Sequence, residues 1–179
     1  MGNPDRHIPC VPTPELAGNF RILDAPTHAK TQTLYDYWKS RLNGHDIPLR
    51  ADISPLHIPK LLPNIGLVDV DRTDGIRFKV RLYGTEAVEN SREERTGRFV
   101  EELAHDLTDL ERQSTIERWQ KACSYVLETR RPAFTQGRPM DPQRQHQIVH
   151  TAILPLSTTG KNIDQLLGLL VTETKVDDL

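Results

Sequence analysis

Residues Ile65 to Thr85 read Ile-Gly-Leu-Val-Asp-Val-Asp, then Arg-Thr-Asp-Gly, then Ile-Arg-Phe-Lys-Val-Arg-Leu-Tyr-Gly-Thr. Two runs rich in β-branched and aromatic residues flank a four-residue turn signal, so they predict a β-hairpin. The second run alternates as expected of a strand with one buried face. One face carries Ile76, Phe78, Val80 and Leu82, and the other carries Arg77, Lys79, Arg81 and Tyr83.

On the C-terminal side of the hairpin, short helical segments precede the longest predicted helix, residues 109–130. Thr108 and Glu111 have the spacing of a capping box at its start. Its apolar stripe consists of Ile116, Trp119, Cys123, Val126 and Leu127. Three further strands are expected at residues 133–138, 148–156 and 164–175. The last is apolar on both sides, which favours a position near the middle of the sheet.

On the N-terminal side, residues 31–43 predict a helix with an apolar stripe of Leu34, Tyr35, Trp38 and Leu42. The stripe must be buried either against its own domain or against a second copy of the chain. The second alternative predicts a homodimer through these four residues. The proline-containing residues 1–30 are expected to form a flexible arm, and residues 31–179 a single domain with its core at about 52–175.

The charges nearly balance, with 23 lysines and arginines against 25 aspartates and glutamates. This balance gives no basis for binding nucleic acid or an anionic membrane, because both require an excess of positive charge. Cys10 and Cys123 lie far apart in the sequence, which suits a reducing compartment. No apolar run approaches the roughly 20 residues that cross a membrane. A soluble, cytoplasmic protein is therefore expected.

The order of one helix, two strands, short helices, one long helix and three strands resembles the PAS sensor fold. Within that superfamily, the sequence is similar to bacterial stand-alone PAS-like proteins over about residues 31–174. The motifs that carry the resemblance are Leu34-Tyr35-Asp36-Tyr37-Trp38, Asp52-Ile53-Ser54-Pro55, Leu61-Leu62-Pro63-Asn64-Ile65, Val80-Arg81-Leu82-Tyr83-Gly84-Thr85, Gly97-Arg98, Arg131-Pro132, Leu154-Pro155-Leu156-Ser157 and Asp164-Gln165-Leu166-Leu167-Gly168.

The resemblance implies an α+β fold, in which helices flank a five-stranded antiparallel sheet and an additional N-terminal helix often pairs two copies. It also implies a pocket between the sheet and the long helix, and a role in signal reception or protein interaction. Unlike a sensor kinase, a chain of 179 residues is expected to have no output domain, so the signal is expected to leave through contact with another signalling protein.

The resemblance also bears on cofactors. A haem-binding PAS domain is expected to place an axial histidine near the long helix, and residues 109–130 contain none, although His105 lies just before it. A flavin photosensor is expected to carry a reactive cysteine among residues 84–107, where there is none. Haem and flavin are therefore not expected, and the identity of any ligand is left open.

A ligand pocket is predicted where the apolar faces of the hairpin and the long helix meet. Its wall is expected to combine Phe78, Val80 and Leu82 with Ile116, Trp119 and Cys123. The polar groups nearest to it are expected to be Tyr83, Arg98 and His150, and also Arg81 unless it points outward to solvent. An arginine such as Arg98 can hold an anion by two hydrogen bonds. The alternative is a filled core with no pocket.

Metal binding and catalysis have no comparable support in the sequence. His146 and His150 lie four residues apart at the start of the predicted strand 148–156. In extended backbone four residues span about 13 Å, too far for a shared metal ion. No phosphate-binding loop or nucleophile motif is present. The sequence therefore favours a non-enzymatic sensor or interaction module. A ligand-free protein-interaction scaffold and a small enzyme with a site assembled by the fold are the alternatives.

Overall fold

The computed structural model describes residues 19–174, and its sheet contains six strands. The strands are β1 (Arg21–Leu23), β2 (Ile65–Asp71), β3 (Arg77–Tyr83), β4 (Ala133–Gly137), β5 (Gln147–Leu156) and β6 (Gln165–Thr174). The α-helices are α1 (Ala29–Ser40), α2 (Thr85–Ser91) and α3 (Asp109–Thr129). Short 3₁₀ helices occupy Arg50–Asp52, Pro55–His57, Pro59–Asn64, Val100–Glu102 and Pro142–Arg144.

The strands lie in the order β1-β4-β5-β6-β2-β3, and every neighbouring pair is antiparallel. The predicted α+β class, the hairpin and the antiparallel sheet are confirmed. β6 lies between β5 and β2, which agrees with its apolar residues on both faces. The sixth strand, β1, was not predicted. It has only three residues, too few for a periodic signal, and it forms through its pairing with β4.

The sheet is covered on both faces, and each face has its own apolar core. On one face α3 packs over a core that includes Val80, Val126 and Leu166. On the other face α1 and the 3₁₀ segments pack over a core that includes Leu34, Leu154 and Leu167. Because side chains alternate along a strand, Leu166 and Leu167 of β6 contribute to opposite cores.

A β-bulge in β3 interrupts the alternation on which the hairpin prediction was based. Val68 pairs with Val80 and Leu67 pairs with Leu82, so Arg81 has no opposing residue in β2. An extra residue in one strand reverses the facing of all the residues that follow it. The side chain of Leu82 is therefore 48% exposed and that of Tyr83 is buried, the reverse of the predicted assignment.

The predicted flexible arm, residues 1–30, differs from the structure in its C-terminal part. Residues 1–18 lie outside the described residues. From Arg21 the chain contributes β1, and α1 already begins at Ala29, before the predicted domain start at residue 31. The side chain of His28 accepts a hydrogen bond from the Lys30 N–H and caps this helix.

The apolar stripe of α1 packs on the sheet of its own chain. Leu34 is fully buried, and Trp38 is 5% exposed and donates a hydrogen bond from Nε1 to the Pro155 carbonyl at 2.8 Å. Tyr35 stacks on Trp38 and contacts the ring of Phe134. α1 ends at Ser40 rather than at the predicted residue 43, and Leu42, just beyond it, packs at the edge of the same core. Of the two alternatives for this stripe, the structure shows burial within one chain. The homodimer stays a prediction, but Leu34 and Trp38 do not offer a surface for it.

Gly84 marks a close backbone approach between the end of β3 and the 3₁₀ helix Pro59–Asn64. A Cβ atom at residue 84 would lie 2.6 Å from the Leu62 carbonyl oxygen and even closer to that of Pro63. The Gly84 N–H donates to the Ile65 carbonyl at 2.8 Å. The absence of a side chain here lets the two segments meet before α2 begins.

We expect Trp38→Phe to lower the free energy of unfolding by about 1 kcal/mol, because it removes the hydrogen bond to Pro155. Trp38→Ala should lower it by about 3–5 kcal/mol, because it also leaves a cavity in the core. Urea unfolding checks both values. The control is Gln32→Ala, a substitution at an exposed position of the same helix. If Trp38→Ala instead halves the mass in sedimentation without changing the unfolding midpoint, Trp38 lies in a dimer interface.

Candidate ligand-binding site

A cavity of about 510 Å³ lies between α3 and the sheet. This volume is within the usual range for a small-molecule site. Side chains from α3, the sheet and the segments on either side of α3 contribute to the wall. The apolar part of the wall includes Val68, Tyr83, Trp119, Cys123, Ile153 and Leu166.

Two glycines on neighbouring central strands form the floor of the cavity. Gly66 of β2 pairs directly with Gly168 of β6, and both line the cavity. A Cβ built on Gly168 would come no closer than 3.5 Å to another atom, the carbonyl oxygen of Gly66. A Cβ on Gly66 would come no closer than 3.6 Å, to the Tyr83 ring. Both positions therefore admit a Cβ atom without a clash, and the missing side chains leave open space beneath α3.

Three of the nine predicted pocket residues line this cavity, namely Tyr83, Trp119 and Cys123. Phe78, Val80 and Ile116 are buried in the adjacent part of the same core, where the space is filled. The filled-core alternative therefore describes one part of the interface between α3 and the sheet. The cavity occupies the other part.

The remaining three predicted pocket residues lie away from the cavity. Leu82 is turned outward by the β3 bulge. Arg98 is at the surface and donates to the Glu93 carboxylate at 3.2 Å, so the predicted anion contact is replaced by an ion pair within the chain. His150 is buried on the α1 face of the sheet, where it is hydrogen-bonded to Thr27 and lies beside the His28 ring, and it does not line the cavity.

The most unusual polar group in the wall is Arg118 of α3, which is 8% exposed. Its Nη1 donates to the Arg138 carbonyl at 2.7 Å. Its Nε and Nη2 are buried and have no hydrogen-bond partner among residues 19–174. Burial lowers the pKa of Arg118 to about 10, so the guanidinium is still charged at neutral pH. The Phe20 ring lies 5.4 Å from the guanidinium carbon and covers one of its faces.

A second arginine, Arg95, connects the cavity wall to the loop between α2 and α3. Its guanidinium carbon lies 5.4 Å from the Tyr83 ring and 5.3 Å from the Trp119 ring. Its Nε donates to the Glu93 carboxylate at 3.2 Å. The same carboxylate accepts the Ala104 N–H at 2.9 Å, which fixes the path of the loop. Displacement of either aromatic ring would therefore displace the Arg95 guanidinium and alter its ion pair with Glu93.

A family model described as a PAS domain matches residues 26–171, which is most of the chain. The chain belongs to the PAS domain family. The match begins before α1 and extends almost to the end of β6. A search of the curated proteins found no match.

Family membership supports a sensory or interaction role in general terms. In the described part of this PAS domain, no helix is long and apolar enough to span a membrane. Residues 19–174 also contain no cluster of three metal-binding side chains.

Sequence reasoning missed the residues that give this PAS domain its cavity. Gly66 and Gly168 carried a usable signal, because a glycine inside a strand pattern marks missing side-chain volume or a close backbone contact. Arg118 carried none. On a helical projection it is simply a charged residue beside the apolar stripe, and only the fold shows that its nitrogens are buried.

His150 links the N-terminal segment to β5 and β6 on the α1 face of this PAS domain. The Thr27 hydroxyl and His150 Nδ1 are hydrogen-bonded at 2.8 Å, and the Glu173 carboxylate lies 3.3 Å from Nε2. Burial, followed by the nearby His28, lowers the pKa of His150 below its ordinary value of 6.5, although Glu173 acts in the opposite direction.

We expect this burial to make stability depend on pH. Above pH 6.5, the ordinary pKa of histidine in the unfolded chain, His150 is neutral in both the folded and the unfolded protein. Its contribution to the free energy of unfolding is then fully present. Below that pH the unfolded chain takes up the proton first, and stability is lost as the pH falls through the folded pKa. Urea unfolding at about pH 7 and about pH 5 should show a larger loss for the unmodified chain than for His150→Gln. Equal losses of stability in the unmodified chain and in His150→Gln would contradict this prediction.

Proposed function

We propose that this PAS domain is a non-enzymatic sensory module that binds a small molecule in the cavity between α3 and the sheet. The observation that carries the proposal is the cavity of about 510 Å³ above Gly66 and Gly168. Close packing is the rule in protein interiors, so an opening of this size in a domain core favours a ligand. The proposal includes a protein partner in bacterial signalling that receives the signal in the cytoplasm.

The contacts of Arg95 support a route by which the ligand would be sensed. A molecule in the cavity would touch Tyr83 and Trp119, the two rings over which Arg95 lies. Movement of Arg95 would disturb Glu93 and with it the Ala104 N–H. The ligand would then shift the population between two arrangements of the α2–α3 loop, and a partner protein would recognise one of them.

The chemistry of the wall supports binding rather than catalysis. Burial raises the pKa of the Cys123 thiol to about 12, so it is a poor nucleophile at neutral pH. The Glu93 carboxylate accepts from Arg95 and Arg98, and the Asp141 carboxylate accepts from Arg92 and the Gln143 N–H. Both carboxylates are therefore already engaged by hydrogen bonds within the chain.

A cavity-filling variant tests the proposal. We expect Gly168→Val to place its side chain in the cavity and to weaken the binding of the neutral fluorophore Nile red at least about tenfold. Its unfolding midpoint should be unchanged or higher, because glycine inside a strand costs roughly 0.5–1 kcal/mol. Thr174→Val, at the exposed end of the same strand, is the matched control and should bind as the unmodified chain does.

Native and denaturing mass spectrometry of the same three proteins provide a second measurement. Excess mass that is retained by the unmodified chain and by Thr174→Val, but not by Gly168→Val, would identify a natural ligand in the cavity. Binding of Nile red by Gly168→Val as strong as that of the control would place the dye elsewhere and contradict the site. Failure of all three proteins to bind it would favour the ligand-free scaffold.

A further inference from the structure

We propose that the ligand of this cavity is an amphipathic carboxylate, and that Arg118 binds its two oxygens through Nε and Nη2. The proposal rests on the proposed function, because it names the chemistry of the molecule that the same cavity holds. The rest of the ligand is an apolar body of aliphatic or aromatic carbon.

The geometry of the guanidinium selects the carboxylate. Nη1 is already held by the Arg138 carbonyl, which fixes the orientation of the planar group. The two nitrogens without a described partner, Nε and Nη2, belong to the same edge of the guanidinium, and their N–H bonds point in the same direction. A pair of parallel donors matches the two oxygens of a carboxylate. A neutral hydroxyl or carbonyl group would satisfy only one of them.

Burial explains why a counter-charge is required. A buried charge is costly unless it is paired, and the cost is tolerated chiefly at functional sites. Burial is the cause that shifts the pKa of Arg118, with no carboxylate among residues 19–174 opposing the shift. Glu93 and Asp141 are engaged by other arginines. Nε and Nη2 have almost no accessible surface in this structure, so an anion brought by the ligand would complete the site once neighbouring side chains shift and open this edge to the cavity.

The charged residues of the whole cavity wall also favour an anionic ligand. Five arginines and three carboxylates line the cavity, although the chain as a whole carries a net charge of −2. Arg95 and Arg144 are also buried arginines of the wall, and the Nε of Arg144 donates to Gln147 at 2.8 Å. Such a local excess of positive charge attracts an anion into the cavity.

The apolar part of the wall contrasts with its arginines and defines the body of the ligand. Trp119, Ile153 and Leu166 contribute apolar surface, and the glycine floor leaves the space beside them free. An apolar body with a single carboxylate fits this division. A sugar or a nucleotide would leave many of its polar groups unpaired against the apolar wall.

Titration calorimetry with octanoate, octanol and octylammonium tests the proposal, because the three probes share one apolar chain and differ in charge. The full chain should bind octanoate at least about tenfold more tightly than octanol, and octylammonium more weakly than either. Arg118→Met should lose the preference for octanoate but keep its affinity for octanol. Arg118→Lys should keep part of the preference, because it retains the charge but not the paired donors.

Arg81→Met is the matched control, because Arg81 lies outside the cavity and pairs with Asp69 at the surface. It should bind all three probes as the unmodified chain does. The thermal unfolding midpoint of ligand-free Arg118→Met should not fall, because an unpaired buried charge has been replaced by an apolar side chain of similar length.

Two results would overturn the proposal in different ways. Equal affinity for octanoate and octanol, or a preference for octanoate that survives in Arg118→Met, would refute the carboxylate site and leave the proposed function intact. Failure to bind any of the three probes, together with failure to bind Nile red, would refute both. Folded Arg118→Lys serves as the reference if Arg118→Met does not fold.

Discussion

The pairing of β5 with β6 is the constraint on which the rest of the structure depends. The two strands run antiparallel over ten residues each, from Gln147 opposite Thr174 to Leu156 opposite Gln165. This register decides which side chains face α1 and which face α3. A shift by one residue would turn Gly168 toward α1 and a leucine into the cavity, and both cores would lose their fit. The open space under α3 is thus a consequence of strand register.

Much of the fold could be predicted from the sequence because its signals are local and periodic. The hairpin at 65–83, the capped helix beginning after Thr108 and the central position of β6 each follow from a pattern within one element. The failures come from interactions between elements. β1 exists only through β4, and the bulge at Arg81 appears only when β3 is aligned with β2.

The site was predicted only in part for the same reason. Trp119 and Cys123 were found because they belong to an apolar stripe that must face the sheet. His150 was expected to approach the pocket but lies on the α1 face of the sheet. The residues at the start of β5 give no clear alternation from which the inward side could be predicted. Arg118 illustrates the limit most clearly, since a charged residue at a half-polar helix position is ordinarily exposed, whereas here it is buried beside Phe20 from the distant N-terminal segment.

The backbone contact at Gly84 limits how the sequence of this fold can change during evolution. Residue 84 lies where β3, α2 and the 3₁₀ helix Pro59–Asn64 converge, and the neighbouring carbonyls leave no room for even a methyl group. A descendant chain could acquire a side chain here only if residues 62 and 63 changed their path at the same time. A single substitution at residue 84 is therefore not tolerated. The end of the hairpin and the segment that precedes the sheet can change here only together.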